Sequence, residues 1–68
     1  MEEPLPKVRD AIRLIHQDGW ALVRTRGSHR QYRHRDKRGT VTIAGKLGDD
    51  LTRGTWSSIM KQAGVKRE

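Results

Sequence analysis

Trp20-Ala21-Leu22-Val23-Arg24-Thr25, then Gly27-Ser28, then His29-Arg30-Gln31-Tyr32-Arg33-His34-Arg35: the reading of this stretch decides the fold. The first segment is rich in β-formers and too short for a helix, so it reads as a strand. Which of its faces is buried stays open, because Trp20 and Leu22 share one parity while Ala21 and Val23 share the other. Gly27 and Ser28 turn the chain. The third segment alternates poorly, but it lies between two turn signals and reads as a second strand. The second of those signals, Asp36-Lys37-Arg38-Gly39, has Asp first and Gly last, as a type I turn prefers. Thr40 to Ala44 forms a third strand, with Val41 and Ile43 on a single face.

Helical periodicity stands on both sides of these strands. Val8, Ala11, Ile12 and Ile15 recur at i, i+3, i+4 and i+7, the spacing of one buried stripe. A first helix is expected from about Lys7 to Asp18, with Pro6 in its first turn and Gly19 as its left-handed stop. Met1 to Leu5 reads as a short tail. Gly45 to Asp50 reads as a loop. The last helix is expected to start after Thr55 as N-cap, with Trp56, Ile59, Met60 and Ala63 as its stripe. Gly64 closes it, with Val65 folding back in a Schellman end. Lys61, Lys66 and Arg67 suit the negative end of its dipole.

The order is therefore helix, three strands, helix. Short connections between the strands imply an antiparallel meander, and both striped helices must cover one face of it. The expectation is a single α+β domain spanning residues 1–68, with one face of its sheet left to water or a ligand. Leu, Val, Ile and Phe make up only about 19% of the chain, close to the composition of disordered proteins, so patterning rather than composition argues for folding. A chain of 68 residues is small enough that a tight partner would add stability by mass action.

Charge narrows the function. The net charge is +7, and ten of the fifteen basic residues are arginine, whose planar fork matches phosphate oxygens bidentately. Arg24 to Arg38 holds seven basic residues against one acid, Asp36. A polyanion is the natural partner, and nucleic acid is the commonest. The absence of cysteine rules out disulfides and thiolate metal sites, and three scattered histidines match no zinc spacing. Asp49 and Asp50, adjacent in a loop, read as solvated acids. No cofactor and no metal are expected. With no apolar run long enough for a membrane span and no signal-peptide core, the default location is the cytoplasm.

His29 is the candidate for chemistry. It follows the Gly27-Ser28 turn among Arg24, Arg26, Arg30 and Arg33, and Tyr32 three residues on points to the opposite face of an extended strand. If the Tyr32 ring packs under the helices, His29 emerges on the open face. An imidazole among phosphate-binding arginines suits attack by a ribose 2′-hydroxyl on its phosphate, and the surrounding positive charge favours the neutral, base-competent form. On spacing alone, an ordinary surface histidine in a basic strand fits slightly better, because a lone histidine is weak evidence. His34, an odd separation away, falls on the other face unless a bulge intervenes. His16, near the end of the first helix, reads as structural. Lys46, just past the third strand, joins the arginines and Ser28 as a candidate phosphate contact.

Taken in order, Gly19-Trp20, Gly27-Ser28-His29 with Tyr32, Val41-Thr42-Ile43, and Gly54-Thr55-Trp56-Ser57-Ser58-Ile59-Met60-Lys61-Gln62-Ala63-Gly64 resemble the HicA family of type II toxin–antitoxin systems over about Lys7 to Val65. The resemblance implies a fold like the double-stranded RNA-binding domain and an mRNA-cleaving toxin that arrests translation. It implies that the histidine of the Gly-Ser-His motif, here His29, is essential, with Gly27 and Tyr32 part of the structural motif. It also implies a HicB-like antitoxin that covers the active site. Family members often carry a proline and a further histidine after the third strand. This chain reads Ile43-Ala44-Gly45-Lys46, which excludes a second histidine there. Two other functions share the same charges: a non-catalytic RNA-binding module and a domain that docks on an acidic protein.

Overall fold

A computed structural model describes residues 4–65. The element order is α1 (Val8–Gln17), β1 (Trp20–Arg26), β2 (His29–His34), β3 (Val41–Ala44) and α2 (Arg53–Ala63). The three strands form one antiparallel sheet in the order β1-β2-β3. Both helices lie on the same face of it, an α+β arrangement like that of double-stranded RNA-binding domains.

One core explains the arrangement. Val8, Ala11 and Ile15 of α1 meet Trp20, Tyr32, Val41 and Ile43 of the sheet and Ile59, Met60 and Ala63 of α2, all buried, with Leu51 closing one side. The helical stripes are those expected from the spacing, although Ile12 and Trp56 are only half-buried. No described helix is long and apolar enough to cross a membrane.

The ends of the elements differ from the sequence expectation in instructive ways. Pro6 stands outside α1, two residues before Val8; its carbonyl accepts the Leu51 N–H at 2.8 Å, tying the N-terminal segment to the loop before α2. Lys7 is the N-cap, and the Asp10 carboxylate reaches back to accept its backbone N–H at 2.8 Å. Thr52, not Thr55, caps α2: its hydroxyl oxygen accepts the Thr55 N–H at 3.2 Å, so the helix starts at Arg53. Two threonines three residues apart each have cap chemistry, and the one whose side chain reaches the third helical N–H takes the role. At the far end Gly64 is left-handed (φ 66°), and the Val65 N–H donates to Met60 O at 3.0 Å, completing the Schellman end. Lys66 and Arg67, expected to favour this helix end, lie outside the described residues, as does most of the expected Met1–Leu5 tail.

The strands also differ at their margins. β1 continues through Arg26, β2 stops at His34 rather than Arg35, and β3 begins at Val41 rather than Thr40. The β2–β3 connection, residues 35–40, is a six-residue loop rather than a tight turn. It is organised by the His34 ring, whose Nδ1 accepts the N–H groups of Asp36 (3.0 Å) and Lys37 (3.2 Å).

Candidate active site

Backbone pairing decides which side chains share the open face. Partners directly opposite in an antiparallel pair point to the same side. Val41 and Ile43 are buried beneath the helices, so their partners Tyr32 and Arg30 stand on the helix side. His29, Gln31 and Arg33 therefore stand on the other side, with Thr42 and Ala44 of β3. His29 is exposed, and Tyr32, three residues on, is 3% exposed beneath the helices. The conditional reading of the sequence is met: Tyr32 under the helices, His29 in the open.

β1 contributes arginines to this face through an irregularity. Trp20, Ala21 and Leu22 pair with His34, Arg33 and Tyr32, which sets Trp20 and Leu22 on the helix side. The register then shifts, and Arg24, Thr25 and Arg26 pair with Gln31, Arg30 and His29. Val23 is the extra residue of a β-bulge. In an unbroken strand Arg24 and Arg26 would share the face of Trp20. The bulge reverses the parity and sends both to the open face, Arg26 directly opposite His29. Arg24, Arg26 and Arg33 are all exposed.

The hairpin itself is a two-residue loop. Gly27 has φ +59° and Ser28 does not have positive φ, the sign pattern of a II′ turn, which needs glycine first and suits the right-handed twist of the strands. The Ser28 carbonyl accepts the Gly45 N–H at 3.1 Å, and this brings the start of the β3–α2 loop, including exposed Lys46, to the end of the sheet that carries His29.

Arg30 differs from the other expected contacts. It is half-buried on the helix side, and its guanidinium donates to Gly45 O at 2.8 Å. Its charge also acts on Tyr32, partly offsetting the burial that pushes the Tyr32 phenol above its ordinary value. The structure thus brings Arg24, Arg26, His29 and Arg33 onto one face, sets Ser28 and Lys46 at its end, and leaves Arg30 behind the sheet.

The other histidines are held in the framework. His16 Nδ1 lies 3.3 Å from Trp20 O. His34 stands on the helix side with its ring edge-on to Trp20 (centroids 5.3 Å apart, 66° between planes), and its Nε2 lies 2.7 Å from Asp18 O. Because Nδ1 accepts two backbone N–H groups, the ring proton sits on Nε2 and is donated to that carbonyl. The bulge that would have been needed to bring His34 to the open face occurs in β1 instead of β2. The His29 ring, by contrast, has no hydrogen-bond partner among the described residues. No group of three or more His, Asp or Glu among the described residues is arranged to hold a metal ion.

An exposed imidazole on a face carrying three guanidinium groups is the kind of site that can hold a phosphodiester and take a proton from a neighbouring hydroxyl. A family model described as the HicA toxin of bacterial toxin–antitoxin systems matches residues 8–65. No curated protein matched the chain.

Proposed function

We propose that this chain, which belongs to the HicA family of toxins from bacterial toxin–antitoxin systems, is an endoribonuclease that cleaves mRNA with His29 as its catalytic base. His29 takes the proton of a ribose 2′-hydroxyl; the oxygen attacks the adjacent phosphorus, and the bond to the 5′-oxygen breaks. The products are a 2′,3′-cyclic phosphate and a 5′-hydroxyl, the leaving oxygen taking its proton from water or from a nearby cationic side chain. Arg24, Arg26 and Arg33 hold the phosphates, with Ser28 and Lys46 at the end of the face. The chemistry needs no metal.

The observation that carries this reading is the pairing of Tyr32 with the core and of His29 with the uncovered, arginine-bearing face. A HicB-like antitoxin with an acidic surface is the partner that suits the same face, in the cytoplasm. Its seat would cover His29 and neutralise the arginines together, so inhibition and charge complementarity go with one contact.

Expression without the antitoxin tests the proposal. Growth should arrest and transcripts should be cut, and both effects should vanish in His29→Ala while the melting temperature of the purified protein stays unchanged. Cleavage that persists without this imidazole would overturn the mechanism. RNA binding without cleavage by the wild type would reduce the protein to a binding module.

A further inference from the structure

We infer that Arg30 is a positioning residue that fastens the β3–α2 loop to the hairpin carrying His29, and that it does not contact RNA. The role in rate rests on the ribonuclease reading above; the structural role does not.

Both backbone groups of Gly45 are bound to the hairpin. Its N–H donates to Ser28 O at 3.1 Å and its carbonyl accepts from the Arg30 guanidinium at 2.8 Å. Ser28 and Arg30 are the two neighbours of His29 in the chain, so the same clamp that fixes Gly45 brackets the candidate base. Gly45 has φ +105°, a region that side-chain-bearing residues rarely enter, and a Cβ there would meet the Asp49 carboxylate at 3.2 Å. The chain can leave β3 in this direction only at a glycine, and Arg30 holds that exit.

The rest of the loop is tied to α1. The Asp49 carboxylate accepts the Lys46 N–H at 2.9 Å and its own N–H returns to Lys46 O at 3.0 Å. Val8 and Arg9, in the first turn of α1, donate to Asp49 O and Leu47 O at 2.9 and 3.1 Å. The loop is therefore anchored on the helix layer at one end and on the hairpin at the other. On the hairpin side, Arg30 supplies the side-chain contact. Its pairing with buried Ile43 and its half-buried bond to the Gly45 carbonyl set its charge on the side of the sheet away from His29.

Salt dependence separates a positioning role from a phosphate contact. A lost phosphate contact lowers the slope of log affinity against log salt by about one unit. Affinity for a short single-stranded RNA is measured in a His29→Ala background, with and without Arg30→Ala, and Arg24→Ala serves as the reference. The slope should stay unchanged for Arg30→Ala and fall for Arg24→Ala. With His29 present, Arg30→Ala should lower kcat about tenfold, as small misplacements do, with KM within about twofold. Amide hydrogen exchange at Gly45 should quicken, and this readout needs no RNA.

Should Arg30→Ala fail to fold, Arg30→Gln removes the charge with less loss of volume and carries the same expectations. A slope reduced by one unit with raised KM, or unaltered exchange at Gly45, overturns the inference. If the wild type binds RNA but never cuts it, the ribonuclease reading fails, while the slope and the exchange rate still decide the role of Arg30.

Discussion

His29 and His34 stand at the two ends of β2 and have opposite surroundings. His34 is packed against Trp20, accepts two N–H groups and donates to the Asp18 carbonyl; its side chain is 10% exposed. His29 is exposed, faces away from both helices, and has arginines on the same face. An odd separation on one strand is the whole cause of the difference, since successive residues alternate between core and solvent. A ring whose nitrogens are already engaged cannot exchange protons with a substrate. The lesson is that the histidine with the richer hydrogen bonding is here the scaffold, and the one without partners is the candidate for chemistry.

Paired alanine substitutions separate the two histidines most sharply. His29→Ala should abolish RNA cleavage, a loss of at least about a hundredfold for a removed general base, and should leave stability near that of the wild type. His34→Ala should do the reverse. It strands two loop N–H groups and a carbonyl and removes an aromatic contact, which costs about 2 kcal/mol, or roughly 8–16 °C in Tm for a domain this small. Thermal melts and cleavage assays on both variants read the crossover. Equal effects on activity and stability in each variant would dissolve the distinction.

A smaller effect is expected from the arginines. Arg24→Ala, Arg26→Ala and Arg33→Ala should each weaken RNA binding several-fold at low salt and reduce the salt slope by about one unit, without lowering Tm. Arg26, directly across from His29, should also reduce kcat. If all three variants bind and cleave normally, RNA engages some other surface.

Much of this was legible in the sequence because periodicity and parity are local. The stripes of α1 and α2 carried the helices, and the three-residue offset between His29 and Tyr32 carried the division of faces. Parity failed in β1 for an identifiable reason. Trp20, Leu22, Arg24 and Arg26 all have even numbers, yet two face the helices and two face away, because Val23 is bulged out between them. The conflict was itself a signal: an unbroken strand cannot bury Trp20 and expose both arginines on the other side. The neighbours of Arg30 in the chain group it with the phosphate contacts, whereas alternation against His29 sets it on the helix side, as its pairing with Ile43 shows. The cap at Thr52 was obscured by the equal chemistry of Thr55, and only the three-dimensional start of the helix distinguishes them.

The covered end of the sheet also predicts an acid-dependent stability. Asp18 closes α1, and Lys37 from the β2–β3 loop donates to its carboxylate at 2.6 Å and to the carbonyls of Ala63 and Gly64 at 3.1 and 3.2 Å. The hydrogen bond from Lys37 holds the Asp18 carboxyl below its ordinary value, against the opposing effect of desolvation. A carboxyl with a lowered folded value contributes stability that is present above its unfolded value near 3.8 and is lost as pH falls through the folded one. The Tm difference between wild type and Asp18→Asn should therefore be constant near neutrality and shrink below about pH 4. Because the carboxylate is a third exposed, the effect should be small. A difference that persists unchanged to pH 2 would show that the ion pair adds nothing.

The smallest effect is expected from the change that looks most disruptive, deletion of Val23 from the middle of β1. On either side of it the partners are already consecutive: Leu22 pairs with Tyr32 and Arg24 with Gln31. Joining Leu22 to Arg24 lets the ladder close in the same register, so Trp20 keeps the core and Arg24 and Arg26 keep the open face. Val23 is itself 55% exposed, so little burial is lost. Cleavage within a few-fold of wild type is expected. Deletion of Ala21 makes the control, because it removes a paired residue and forces either Trp20 or Leu22 off its parity. If the two deletions are equally damaging, the bulge does more than reconcile a buried end with a basic one, and the local twist it adds is then part of the site.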